Sequence, residues 1–231
     1  MKLKKIIFSL AAPALCLTAN AQDAYSGLST FSADRFAIGF KIAPAISWIS
    51  PGSDDTSRDG TTMKFNWGFV AKYHITENFG LVTGFNVNGL GGNLVYQNED
   101  MLFTSENKFT AFEIPIAFRL TTEPMFQDFF FYAQVGLGLN YAFNPRLTYF
   151  ATPEEMLPDI SERKSVNRIV IGYNVAVGAE YQFTEKMALT AQVLYNSSLS
   201  GLLNSSKYRV DGHRIMGNYN FVEFGLGVMF Y

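Results

Sequence analysis

Large apolar residues alternate with small, polar or charged residues along most of this chain. Between Phe36 and Trp48, every second position is large and apolar except for Pro44, and the positions between are mainly Ala, Gly, Ser and Lys. Successive side chains of a β-strand point to opposite faces, so this pattern predicts a strand with one apolar and one polar face. The pattern predicts eight such strands, at residues 35–49, 62–76, 79–96, 108–121, 129–143, 168–183, 187–195 and 219–230.

The connections between the predicted strands alternate in length. Residues 76–78 and 184–186 form tight turns, and 121–128 a medium one. The longer polar links are expected at about 51–61, 97–107, 145–166 and 197–217. Short periplasmic turns and long outer loops are typical of bacterial outer-membrane barrels. With an even number of strands, we expect both termini in the periplasm and the long links on the extracellular side.

The N-terminal segment has the composition of a secretory signal. Lysines at positions 2, 4 and 5 precede an apolar run over 6–17 and a small-x-small site at 19–21. This arrangement predicts a signal peptide at 1–21 and a single barrel domain at 22–231. The one cysteine, Cys16, lies inside the apolar run, so no disulfide is expected in the mature chain.

Composition and charge narrow the class of protein further. Aromatic residues make up 16% of the chain, with 22 Phe and 12 Tyr, which suits the interfacial girdles of a membrane barrel. Loss of three lysines with the signal would lower the formal net charge from −2 to −5. That charge argues against nucleic acid as a partner. The expected partners are outer-membrane lipid and lipopolysaccharide, the barrel-assembly machinery during insertion and, as a further class, envelope or secretion proteins.

The alternation alone leaves a soluble lipocalin-like barrel open, with its apolar face turned inward. The face opposite the large apolar residues carries six charged side chains: Lys41, Lys72, Glu113, Arg119, Glu180 and Glu223. Burying these charges in the core of a soluble barrel would be costly. We therefore predict an all-β fold, a closed eight-stranded antiparallel transmembrane β-barrel with up-and-down meander topology. Closure pairs every strand edge within the membrane, and side chains fill a barrel of this size, so the lumen should be narrow and plugged by polar groups.

Four of the inward charges fall at matching heights. Lys41 and Glu223 lie near the middle of the first and last strands, which become neighbours on closure, so we predict that they pair. Glu113 is a candidate third member. Arg119 and Glu180 lie toward the periplasmic end and are predicted to form a second pair. A polar plug that stiffens the barrel is favoured over a gated path or proton relay, because small barrels commonly fill their lumens in this way.

No enzymatic activity, metal or other cofactor is expected. A hydrolase needs a nucleophile, a base and an orienting group that converge, and the two histidines, His74 and His213, lie in different parts of the predicted barrel. The acidic groups of the first and third long links are interpreted as solvated loops rather than calcium ligands: Asp54, Asp55, Asp59, Glu154, Glu155 and Asp159. The glycines of 89–92 and 136–138 lie inside strands and are not phosphate loops. Those of 89–92 predict a bulge or sharp bend.

Several short runs resemble a known group of barrels. Residues 112–118 read Phe-Glu-Ile-Pro-Ile-Ala-Phe, and the runs at 131–136, 178–183 and 195–204 fit the same pattern. The chain resembles the porin-like, PorT-type outer-membrane barrels of Bacteroidetes. This resemblance implies a membrane barrel and, through its namesake branch, a link to protein secretion and gliding motility. Pro115 lies in mid-strand, where a local bulge is therefore expected.

The C-terminal strand is expected to carry the signal for insertion into the outer membrane. Outer-membrane barrels usually end in a lipid-facing aromatic residue that the assembly machinery reads, and we expect Phe230 to serve as this signal, with Tyr231 as an extra residue. The leading functional hypothesis is a structural or interaction protein of the outer membrane. The alternatives are a secretion-accessory barrel, a narrow channel for small solutes and, least supported by the residues, a lipid-modifying enzyme.

Overall fold

The structure is a computed structural model that describes residues 35–52, 56–97, 102–125, 128–152, 155–156, 166–203, 209–210, 213–214 and 217–231. The signal peptide predicted at 1–21 lies outside the described residues. We number the eight long strands β1 to β8. They span Phe36–Pro51, Thr62–His74, Phe79–Gln97, Leu102–Thr121, Phe129–Thr152, Ile169–Thr184, Met187–Ser198 and Gly217–Phe230.

The eight strands close into one barrel. Each strand pairs antiparallel with its neighbour in the chain, and β1 pairs with β8 in a register that aligns Ile38 with Phe230. The described strands therefore form a closed up-and-down meander, and the predicted fold class is confirmed. Two short strands extend the sheet, Thr56–Asp59 beside β3 and Glu155–Met156 beside β5.

Burial alternates along the strands with the predicted phase. In β1 the even positions from Phe36 to Ile46 are exposed, and the odd positions from Ala37 to Ile49 are buried. A belt of large apolar side chains therefore covers the outside of the barrel, with Ile38, Ile116, Val177 and Leu226 each more than half exposed. All six predicted inward charges are buried in the lumen, none more than 7% exposed.

The loop-side ends of β4 and β5 extend further than the sequence predicted. Residues 102–107 and 145–152 were expected to be links, but they are paired extensions of the two strands, in which Leu102 pairs with Thr152 and 102–107 also pairs with β3. Residues 104–107 put polar side chains on both faces of the β4 extension, with Ser105 and Asn107 buried on one of them, so the apolar alternation that reveals a strand is lost there. The first predicted link likewise contains a strand, Thr56–Asp59.

The predicted bulge at Pro115 is wrong. The register of β4 with β3 is the same on both sides of it, since Thr83 aligns with Ile116 and Asn86 with Glu113. Pro115 has no amide hydrogen, and its carbonyl accepts a hydrogen bond from the Thr83 hydroxyl at 2.8 Å. The register shift lies instead in the pairing of β4 with β5, where Lys108 aligns with Arg146 and Thr110 with Phe143, so that the extra residue is in β5.

The glycines of 89–92 also produce no register shift between β3 and β4. Instead, β3 leaves β2 after the pair Trp67–Val87 and remains paired with β4. The described residues contain no helix that is long and apolar enough to cross a membrane.

Candidate functional site in the barrel lumen

The first predicted ion pair lies at mid-height in the lumen. Lys41 Nζ is 2.5 Å from Glu223 Oε1, so the two residues pair as the sequence predicted. Glu223 is fully buried and also accepts hydrogen bonds from Asn66 Nδ2 at 3.0 Å and Gln192 Nε2 at 3.3 Å. With three donors around one carboxylate, this charge is both paired and hydrogen-bonded, as a buried ion requires.

Glu113 does not join this pair. Its carboxylate accepts hydrogen bonds from Asn86 at 3.1 Å, Asn88 at 2.7 Å and Asn196 at 2.9 Å. No lysine or arginine of the described residues forms an ion pair with it. Gly138 leaves the space for this carboxylate, because a β-carbon there would collide with Glu113 Oε1. Neutral amide donors from both sides of the lumen therefore hold this carboxylate, which the sequence suggested as a candidate third member of the Lys41–Glu223 pair.

The second predicted contact belongs to a larger group at the end of the lumen nearer the short turns. Arg119 Nη1 lies 3.6 Å from Glu180 Oε2, a charge contact longer than a hydrogen bond. The closer cation is Lys72, whose Nζ donates to both Glu180 oxygens at 3.1 and 3.2 Å. Arg119 Nε and Nη2 both donate to Gln134 Oε1. We call Lys72, Arg119 and Glu180, together with Tyr231, the lower cluster.

Tyr231, which follows the end of β8 as the extra residue that the sequence predicted, completes the lower cluster. Its hydroxyl contacts Glu180 Oε1 and accepts a hydrogen bond from Lys72 Nζ at 2.7 Å. Its ring stacks on His74 with the centroids 5.8 Å apart, and its amide donates to the Lys186 carbonyl at 3.0 Å. The strand period places Tyr231 inward because Phe230 faces outward. The alternation of the last strand was therefore the feature of the sequence that could have predicted an inward Tyr231.

The loop-side half of the lumen contains an apolar cluster beside buried polar residues such as Ser47 and Asn107, so the lumen is not filled by polar groups alone, as the sequence suggested. Ile49, Leu90 and Tyr219 are buried there with several smaller apolar side chains. Leu202 and Leu203, from the link after β7, join this group, and Leu203 forms an isolated bridge with Val166. We call this group the apolar plug. It lies in the half of the barrel where the long links connect the strands.

Little space remains inside the barrel. One lumen cavity of about 30 Å³ lies between Lys41, Glu113 and Gln134, and a second of about 20 Å³ lies beside Tyr132 and Thr190. Each has room for about one water molecule. The charged layers and the apolar plug together leave no wide path among the described residues.

Other residues considered for chemistry are not brought together. His74 Nδ1 lies 3.2 Å from the Arg35 carbonyl, and the side chain of His213 is outside the described part of the chain. Asp54, Asp55, Glu154 and Asp159 are also outside it, as is the side chain of Glu155. Across the residues that the structure describes, no three His, Cys, Asp or Glu side chains form a group that could hold a metal ion.

A model of the outer membrane protein β-barrel domain matches residues 9–230 of the chain. This protein belongs to the outer-membrane β-barrel family. A comparison with functionally curated proteins finds no match.

Solved structures show the same fold. Neisserial surface protein A is 17% identical with a TM-score of 0.52, and the alignment covers 84% of this chain and 96% of that one. OprG of Pseudomonas aeruginosa is 11% identical with a TM-score of 0.50, over 84% and 96% of the two chains. The family and the fold place this β-barrel among the small eight-stranded proteins of the outer membrane. At these sequence identities, the similarity to the two solved structures shows the fold and not the function. The Bacteroidetes and PorT-type assignment remains a prediction.

Proposed function

We propose that this outer-membrane β-barrel is a non-conducting structural or interaction protein that acts through its outer surface and long links. The filled lumen is the observation that carries the proposal. Buried charge layers and an apolar plug occupy successive levels of the barrel, and the two lumen cavities near the charges each have room for about one water. The same packing argues against the alternative of a narrow solute channel.

We also propose that the short turns face the periplasm and the long links face outward. Residues 75–78 and 185–186 connect strands at the rim where Phe36 begins β1 and Phe230 ends β8. The opposite rim carries the long connections 52–61, 153–168 and 199–216 together with the short link 98–101, while the medium turn 122–128 lies on the first rim. Bacterial outer-membrane barrels typically have short periplasmic turns and long extracellular loops, and the same orientation here would put both termini on the periplasmic side.

No catalytic activity is part of the proposal. The partners proposed are outer-membrane lipid and lipopolysaccharide, the barrel-assembly machinery and envelope proteins. Phe230 is nearly half exposed on the lipid side of β8, which suits a role as an assembly signal. A secretion-accessory role is the second candidate, and it rests on the sequence resemblance alone.

Single-channel recording tests the closed lumen. Purified protein in planar bilayers should give no stable conductance steps, while a general porin in the same bilayers should give them. Discrete steps that scale with the amount of protein and change ion selectivity in Glu223→Lys would refute the proposal. Crosslinking in cells with a tagged copy then tests the interaction role. A recurrent set of secretion proteins would favour the accessory alternative.

A further inference from the structure

The barrel wall opens on the loop side between β2 and β3. Beyond Val87, β3 stays paired with β4 but shifts onto the inner face of β1 and β2. The Gly91 amide and carbonyl bond with the Ser47 hydroxyl at 3.0 and 2.9 Å. The Gly89 amide donates to Asn66 Oδ1 at 2.9 Å. Ser47 and Asn66 are buried and belong to the inward sets of β1 and β2, so this part of β3 packs inside them.

The side chain of Lys64 occupies the space outside this part of β3. A β-carbon at Gly89 would lie 3.2 Å from Lys64 Cβ, and one at Gly91 would lie 3.1 Å from Lys64 Cε and 3.5 Å from its Nζ. The lysine stem therefore runs along the two glycines and ends over Gly91. Larger residues at these positions would displace it. Gly89 and Gly91 thus leave room for the Lys64 side chain to lie across the opening.

Two more cations lie on the same face of the neighbouring strands. Gly91 aligns with Lys108 in β4, and Lys108 aligns with Arg146 in β5. Aligned residues of antiparallel strands share one face of the sheet. Lys64, Lys108 and Arg146 therefore form a row, which we call the basic cleft. Among the described residues, the one ion pair that the cleft forms is Lys108–Glu106 at 2.6 Å, which is partly solvent-exposed and therefore weak.

The height of the basic cleft suits a lipid headgroup. The outward residues of β4 are apolar from Leu120 up to Phe112, and Lys108 follows two outward positions later. At about 3.4 Å per residue and a tilt of about 40°, Lys108 lies roughly 30 Å above Leu120, and the apolar belt of such barrels is about 25 Å tall. The cleft therefore lies just beyond the hydrocarbon on the loop side.

We propose that the basic cleft binds the phosphate group of a phosphorylated glycolipid of the lipid A type in the adjacent leaflet. The inference rests on the proposed orientation and deepens the interaction role. Arg146 supplies a planar fork that matches phosphate oxygens, and Lys64 supplies an ammonium group that the glycines hold in place. The apolar belt directly below would contact the acyl chains of the same molecule.

The test compares lipid retention by native mass spectrometry of the purified full chain. The probe is bisphosphorylated lipid A, with the same lipid after chemical removal of its phosphates as the comparison. The test variant is Lys64→Gln with Arg146→Gln. The charge-matched control is Arg35→Gln with Lys186→Gln, at the opposite rim. Unheated gel mobility shows that every variant is folded.

We expect the test variant to retain phosphorylated lipid A with roughly 30-fold lower affinity, from about fivefold for each cation removed near a membrane surface. The control variant and the wild type should agree, and the dephosphorylated lipid should bind no better to the wild type than to the test variant. Equal loss in both variants, or equal retention of both lipids, would overturn the inference. Displacement of the lipid by millimolar inorganic phosphate would point to a free-anion site and also overturn it. Conductance has no part in this test, so the lipid site can fail while the closed lumen stands.

Discussion

The Lys41–Glu223 pair should contribute strongly to barrel stability, and Lys41→Met is the perturbation that tests this. The substitution leaves a fully buried carboxylate with only two amide donors, Asn66 and Gln192. Removing one partner of a buried ion pair costs about 3–5 kcal/mol, because the other charge stays desolvated and unpaired. We expect a loss of this size in the free energy of unfolding.

The double variant Lys41→Met with Glu223→Gln separates the pair from the two residues taken singly. It removes both charges and keeps an amide oxygen for the neighbouring donors. Its cost should be about 2–3 kcal/mol less than the sum of the two single variants. Lys186→Met, at an exposed turn, removes the same charge outside the lumen and should change stability by less than about 0.5 kcal/mol.

Reversible urea unfolding in lipid vesicles provides the measurement. The chain has two tryptophans, Trp48 and Trp67, and both lie on the outward phase of their strands, so their fluorescence reports loss of the membrane-inserted barrel. Linear extrapolation gives the free energy of unfolding for each variant. A cost below about 1 kcal/mol for Lys41→Met, or strict additivity in the double variant, would refute the reasoning.

Three further predictions follow from the same packing. Gly138→Val should destabilise the barrel by about 1–3 kcal/mol in the urea assay, because its side chain would enter the space of the Glu113 carboxylate; an unchanged midpoint would contradict this. Tyr231→Phe should cost about 1–3 kcal/mol by removing the hydroxyl from the lower cluster, and a neutral result would show that this contact adds nothing. Ile116→Lys, in the middle of the apolar belt, should cost about 2–4 kcal/mol in vesicles, against about 0–1 kcal/mol for Met63→Lys at the loop-side rim. Equal costs at the two positions would mean that the belt has been placed at the wrong height.

The sequence predicted local features well where one residue pattern repeats. The period of two identified the lipid-facing and lumen-facing sets, and it placed all six charges inside. It also located the central part of each strand. It failed at residues 102–107, because residues 104–107 are polar on both faces of the strand and the apolar alternation disappears, and it failed with them at 145–152, which pairs with that segment. It failed at Pro115 because a missing amide hydrogen does not by itself require an extra residue in the strand.

Pairing across the lumen depended on the tertiary structure. Lys41 and Glu223 could be matched from the sequence because closure makes the first and last strands neighbours. Lys72 and Glu180 are 108 positions apart on strands that are not adjacent, so their contact depends on the tilt and stagger of the whole barrel.

Tertiary structure alone also decided what fills the loop-side half of the lumen, since Leu202 and Leu203 enter it from a link with no strand period to reveal their direction. The amino-acid sequence by itself determined that this protein is a membrane barrel and which way each strand faces. That information is local, because alternation along a strand is read from neighbouring residues. The partner of each lumen group depends on which positions of distant strands reach the same height, and only the closed barrel sets that.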